Sequence, residues 1–322
     1  RKFTSIMVDN NFQGPERYIG LLSKILILFG FFLLGGFIGQ FIGLLSVVLI
    51  VGFPTQDVNQ FQKSVLDFMA HPQNYEGAFR AMMALQWFSA LFTFVASSWA
   101  YLRWSEKRDL NSLSSNPSPD YRVFLWSIIT ILVGMPFLEY IIQWNESLVL
   151  PAGFEETEKW MRASETQLAE LTKFLINFHS PMDFAIGLAV IAGLAALGEE
   201  LFFRGVLQSL FERYTGNHHV AIWVSAGIFS FIHFQFFGFF PRLFLGAFFG
   251  YLYVWNRNIW IPIVAHLFNN GWTLTMQYMY QQKQIAVDPE KLGEITPWWT
   301  VVISAALVVF YIRRLHGMRL EK

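Results

Sequence analysis

The chain has 322 residues, no formal net charge, 54% hydrophobic residues and only 14% charged ones, with 35 Phe, 12 Trp and a mean hydropathy of +0.39. These values exclude a disordered chain, a nucleic-acid binder with a basic face and almost any soluble enzyme, and they imply a polytopic membrane protein. The absence of cysteine excludes disulfides, Fe–S centres, zinc–thiolate sites and a cysteine nucleophile.

A membrane helix needs about 20 mostly apolar residues. Eight such runs are expected, giving an all-α polytopic bundle. The first covers Leu21 to Phe53 and carries Gly30, Gly35, Gly36, Gly39 and Gly43, which predicts a long tilted helix with close neighbours. It lacks a small-residue cleavage site, so no cleavable signal peptide is expected. The second runs from Ala81 to Leu102. The third runs from Phe124 to Trp144, with Pro136 as a kink. A stretch near 154–178 is not a span: Trp160, Met161, Leu168, Leu171, Phe174, Leu175 and Phe178 recur at helical spacing among charges. It reads as an amphipathic helix on the outer surface or, equally, as a solvated linker helix. The fourth span covers Phe184 to Leu210, the fifth Ala221 to Phe237, the sixth Pro241 to Trp255, the seventh Ile259 to Tyr278 and the eighth Trp298 to Tyr311.

An even number of spans puts both termini on one side. Arg313, Arg314, Arg319 and Lys322 follow the last span; Arg1, Lys2, Arg17 and Lys24 precede or open the first; Arg103, Lys107, Arg108 and Arg122 follow the second. The loop after the third holds Glu146, Glu155, Glu156, Glu158, Glu165 and Glu170 against Lys159, Arg162 and Lys173. Basic flanks stay inside, so both termini are expected in the cytoplasm of a multi-pass cell (inner) membrane protein and the acidic loop outside. Three regions result: an N-terminal transmembrane region over 1–181, a core over 182–278, and a last span with a basic tail over 279–322.

Ionisable groups inside spans are costly and usually functional. Glu199, Glu200 and Arg204 lie in span four, His233 in span five, and His266, Asn269 and Asn270 in span seven. At 1.5 Å per residue, Glu199 lies about 21 Å from Arg213, His233 about 21 Å from His219 and His266 about 14 Å from Arg257, so all three reach one layer near the membrane middle. Glu200 and Arg204 are i,i+4 and can pair, whereas Glu199 points about 100° away, free to face a cavity. Taken singly, each has a plain alternative. A Glu–Arg pair is often only a clasp, a membrane His a packing residue, an Asn interhelical glue, and Phe229 simple core. Those alternatives do not explain the agreement in depth. Glu139 in span three is a second-tier candidate.

The segments Glu199-Glu200-x-x-x-Arg204, Phe229-x-x-x-His233 and His266-x-x-x-Asn270 resemble the three motifs of the CPBP family, which contains type-2 CAAX prenyl endopeptidases and bacterial Abi-type intramembrane proteases. The resemblance covers Met182 to Tyr278, under a third of the chain, and the text around His233 looks like bacterial members. It implies a membrane bundle with an internal cavity and an endopeptidase acting on a peptide or membrane-protein substrate. Glu199 would be the general base on a water that His233 helps to hold, and His266 and Asn270 would stabilise the oxyanion, with Glu200, Arg204 and Phe229 supporting. A carboxylate taken out of water accepts a proton near neutral pH more readily, which suits the role. The expected partners are lipid and the substrate, with no nucleic acid.

The resemblance implies no metal or other cofactor. The nearest rival is a zinc protease using Glu199, His233 and His266 as ligands; the H-E-x-x-H signature is absent. A proton-coupled transporter is the rival from another class, although paired repeats with broken helices are not apparent. An inactive scaffold that keeps the fold is the third.

Overall fold

The computed structural model describes residues 15–53, 57–289 and 297–319, so Arg1, Lys2 and Lys322 lie outside the described residues. Every regular element among the described residues is helical. The long helices are α1 (Pro15–Val51), α3 (Ala78–Ser105), α4 (Tyr121–Glu146), α6 (Pro181–Thr215), α8 (Phe239–Asn256), α9 (Trp260–Gln281) and α10 (Trp298–Gly317). Between them stand α2 (Val58–Ala70), α5 (Glu155–Leu175) and α7 (His218–Phe231). Polar caps set several starts: Asp57 accepts from Asn59 and Gln60 N–H, Ser180 from Asp183 N–H, and Asn217 from His219 and Val220 N–H.

Among the described residues six helices are long and apolar enough to cross a membrane, against the eight expected. The expected fifth span shrinks to α7, whose 14 residues reach about 21 Å against a hydrocarbon core of about 30 Å. The expected seventh, α9, is long enough at 22 residues, but its polar side chains keep it out of the apolar class. Helix α7 packs one face on α6 and α8 and leaves Val220, Trp223, Val224, Ile228 and Phe231 exposed, and α9 packs on α4, α6 and α8 with Trp260 and Leu267 exposed.

Glycine fixes how α1 meets α3. A Cβ at Gly39 would stand 2.6 Å from the carbonyl oxygen of Phe88, one at Gly43 2.6 Å from Leu85 Cδ1, and one at Gly35 would collide with the Phe92 carbonyl. These positions, four apart, let backbone meet backbone. Gly30 meets nothing and takes no part in this contact.

The helix α4 continues through Pro136. Proline supplies no N–H and crowds the preceding turn. There the Ser304 hydroxyl of α10 accepts from Phe137 N–H at 3.2 Å and donates to the Val133 carbonyl at 2.5 Å, the pair that a regular turn joins directly. Ser304→Ala should therefore lower thermal stability in detergent by about 1–3 kcal/mol, the cost of orphaned buried polar groups. A melting point equal to wild type would show that the hydroxyl is dispensable.

The two ends of the bundle differ. At one, Glu106 joins three helices: Lys24 of α1 lies 2.9 Å away and Arg213 of α6 2.6 Å. Burial would raise its carboxyl, but the hydrogen bonds and charges of Arg213 and Lys24 outweigh that and hold it at about 2. Arg257 pairs with Glu212 through two nitrogens, and Asn258 donates to the Asn116 carbonyl. Arg314 stacks on Trp126. The described ends of α1 and α10 both lie here. At the other end, Gln281 donates to the Ile176 carbonyl, and Asn145 bridges Phe236 and Phe240.

The helix α5 belongs to that second end. Its Leu171, Phe174 and Leu175 pack into the cluster of Val47, Phe53 and Phe68. Trp160 meets Phe236, and Glu165 accepts from Phe237 N–H at 3.0 Å. The apolar face expected at a membrane surface is thus spent largely on the protein itself.

Candidate active site

An internal cavity of about 420 Å³ lies between α3, α5, α6, α8 and α9. Glu199, Phe229, His233, His266 and Asn270 all line it; Glu200 and Arg204 do not. The carboxylate at 199 is 15% exposed and that at 200 is fully buried, as expected for neighbours turned about 100° apart.

Glu200 sits behind the cavity wall. Its Oε1 accepts from Arg204 Nη1 at 2.7 Å and from His266 Nδ1 at 2.8 Å. Arg204 Nη2 donates to the Gly246 carbonyl at 3.0 Å, and the guanidinium lies 4.7 Å from the Phe229 ring centre and 5.6 Å from that of Phe249. A Cβ at Gly246 would stand 3.2 Å from Arg204 Nη2, so the glycine makes room for the bond. The pair is more than a clasp within α6: through His266 it ties α6 to α9, and through Gly246 to α8.

His266 is locked from three sides. Glu200 takes Nδ1, Phe249 stacks on the ring at 5.0 Å, and Phe229 stands edge-on at 6.1 Å. Its Nε2 is thereby aimed at Glu199 Oε2, 3.8 Å away. That gap is too long for a hydrogen bond and short enough to share a small molecule. Asn269 donates to Asn270 Oδ1 at 3.2 Å, which leaves the Asn270 amide N–H groups for the cavity.

His233 is not inside a span. It lies in the turn after α7, where its Nδ1 contacts the Phe229 carbonyl at 2.7 Å and leaves Nε2 as the ring's other nitrogen. The helix α7 is short enough to end at the cavity and lay this side chain on the wall. Two of the four π-type stretches among the described residues, Leu188–Leu194 and Leu201–Gln208, flank Glu199 and Glu200 in α6; the others, Leu91–Ala96 and Tyr101–Ser105, lie in α3. Such widened turns cluster at functional sites. A Cβ at Gly198 would come within 2.9 Å of Phe94 Cβ, so the two widened helices touch closely beside the carboxylates.

Sequence reasoning missed part of the wall. Gln86, Ser89 and Thr93 of α3 line the cavity, as do Thr172 of α5 and Arg242 of α8. Their signals were present: polar residues at helical spacing in an apolar span, and a cation inside one. Arg242 donates to the Gln235 side chain at 2.7 Å and to its carbonyl. Glu139 does not line the cavity. Among the described residues, no three His, Cys, Asp or Glu side chains are grouped so that they could hold a metal ion.

Residues 181–272 match the family profile described as Type II CAAX prenyl endopeptidase Rce1-like, and this stretch carries every residue of the three motifs. The Bacillus subtilis (strain 168) protein described as "Uncharacterized protein YpbD" is 31% identical over 77 residues, which cover 23% of this chain and 36% of that protein. The chain thus spans well under half the length of that curated relative. No solved structure matches.

Proposed function

We propose that the protein is an intramembrane endopeptidase that hydrolyses a peptide bond of a membrane-associated protein or peptide with a glutamate-activated water. The observation that carries the reading is the 3.8 Å gap between Glu199 Oε2 and His266 Nε2 inside a cavity, with Glu200 and Arg204 buried behind it. The Rce1-like match over 181–272 supports the reaction class.

A water bound at Glu199 gives its proton to the carboxylate while its oxygen attacks the substrate carbonyl carbon. His233 helps to hold that water. The developing oxyanion receives a hydrogen bond from the Asn270 amide, and one from His266 Nε2 when that ring carries a proton on both nitrogens, its Nδ1–H being held by Glu200. Glu199 then passes its proton to the departing amine as the C–N bond breaks. Arg204 balances the buried Glu200, so the doublet of carboxylates does not stand as two uncompensated charges. The protein would sit in the cell membrane with both termini in the cytoplasm.

The same residues could be asked to hold zinc, with Glu199, His233 and His266 as ligands. Two measurements separate the readings. Purified protein should keep its cleavage activity in EDTA or phenanthroline, and should carry no stoichiometric zinc. Loss of activity on chelation, restored by added zinc, would replace the glutamate mechanism by a metal one.

A further inference from the structure

The cavity is not symmetric about the middle of the bundle. Toward the end that holds Glu106, it is closed by the largest buried cluster: Tyr101 and Leu102 of α3, Phe202 and Phe203 of α6, and Ile259 and Ile263 beside them. Below that plug lie the Lys24–Glu106–Arg213 and Glu212–Arg257 ion pairs. On the other side an apolar cluster puts Leu175 and Val190 into the cavity wall, and the exposed Thr172 lines the cavity beside them. The wall there also holds Gln86 and Ser89 near the start of α3, Ile176 at the end of α5, and Arg242 in the first turn of α8. The hydroxyl of Ser89 is buried and has no hydrogen-bond partner. The cavity therefore runs from Glu199 toward the end roofed by α5.

Charge assigns that end to a side. Arg103, Lys107, Arg108, Arg313, Arg314 and Arg319 flank the plugged end, whereas α5 brings five glutamates against Lys159, Arg162 and Lys173 to the other. The excess of Lys and Arg in short flanks marks the cytoplasmic side. Size limits the form of the guest. A helix is about 10 Å across, so 420 Å³ holds roughly one turn of it, not the 20 residues of a span. Carbonyls within a helix are, in addition, already hydrogen-bonded.

We infer that the cavity is loaded from the non-cytoplasmic end, past α5, and that its substrate is a short extended peptide segment exposed on that side of the membrane. This rests on the protease reading for the word substrate. The side of entry stands on the plug, the roof and the charge alone. The helix α5 crosses the entrance and is held there by the contacts of Glu165 and Trp160 with the turn at 236–237.

The cysteine-free chain permits a clean test. Single cysteines are placed in the full chain at Gln86 in the wall, Glu156 on α5 and Lys107 beyond the plug. Intact cells are then treated with a small membrane-impermeant thiol reagent, before and after permeabilisation. Gln86→Cys and Glu156→Cys should label in intact cells, and Lys107→Cys only after permeabilisation. Thr172→Cys replaces Gln86→Cys if the latter fails to accumulate. Label at the wall position only after permeabilisation, or none in either state while Glu156→Cys reacts, overturns the entry side. So does Lys107→Cys labelling in intact cells. The labelling needs no catalysis and is repeated on Glu199→Gln. A variant that still cleaves sinks the mechanism and leaves the entry side standing, and the reverse outcome separates them equally.

Discussion

Glu199→Gln should abolish cleavage while leaving the protein folded and inserted. The amide keeps the size and shape of the side chain but cannot take a proton from water, and losing a general base costs a factor of about 10² or more. Stability should hardly move. The Glu199 carboxylate lies 3.8 Å from His266 Nε2, beyond hydrogen-bond reach, and lines the cavity. His266→Ala should lose activity too, but with a lower melting point. That ring is buried between Phe229 and Phe249, and its removal leaves Glu200 short of a hydrogen bond. Comparing membrane proteomes of wild type and Glu199→Gln for missing cut ends supplies the substrate as well as the readout. Wild-type turnover in purified Glu199→Gln would remove Glu199 from the base role.

Much of this was legible because the chemistry lies in motifs whose spacing fixes direction. Four residues apart on a helix means one face, so Glu200 with Arg204 and His266 with Asn270 could be oriented from position alone. The offset of Glu199 by one residue separated the buried carboxylate from the one on the cavity wall. The tie between Glu200 and His266 was not legible, since it joins residues 66 apart through packing that no local period encodes. The number of spans was less legible. Apolar runs show that a helix avoids water, but not how long the helix is: α7 stops after 14 residues, although Val220, Trp223, Val224, Ile228 and Phe231 are exposed on it. The wall supplied by α3 was missed as well. Gln86, Ser89 and Thr93, all N-terminal to the three motifs, form one side of the cavity.

Arg204→Ala separates support from catalysis. It would leave Glu200, with no exposed surface, facing one histidine and no cation. Stripping a buried ion pair of one partner costs about 3–5 kcal/mol in soluble proteins. It also empties the bond to Gly246 and the stacking on Phe229. The variant should therefore express poorly and melt early in detergent, and its activity should fall in step with the folded fraction. Replacing Glu200 and Arg204 together by apolar residues of similar volume should recover part of that stability, because no lone charge remains. It should not recover turnover. Without Glu200 nothing holds Nδ1 of His266, and the ring loses the bond that aims Nε2 at Glu199. The decisive comparison is melting point against turnover per folded molecule across Arg204→Ala, the double variant and wild type. If Arg204→Ala melts like wild type yet loses turnover, the buried pair is not a support, and the guanidinium takes part in the reaction itself.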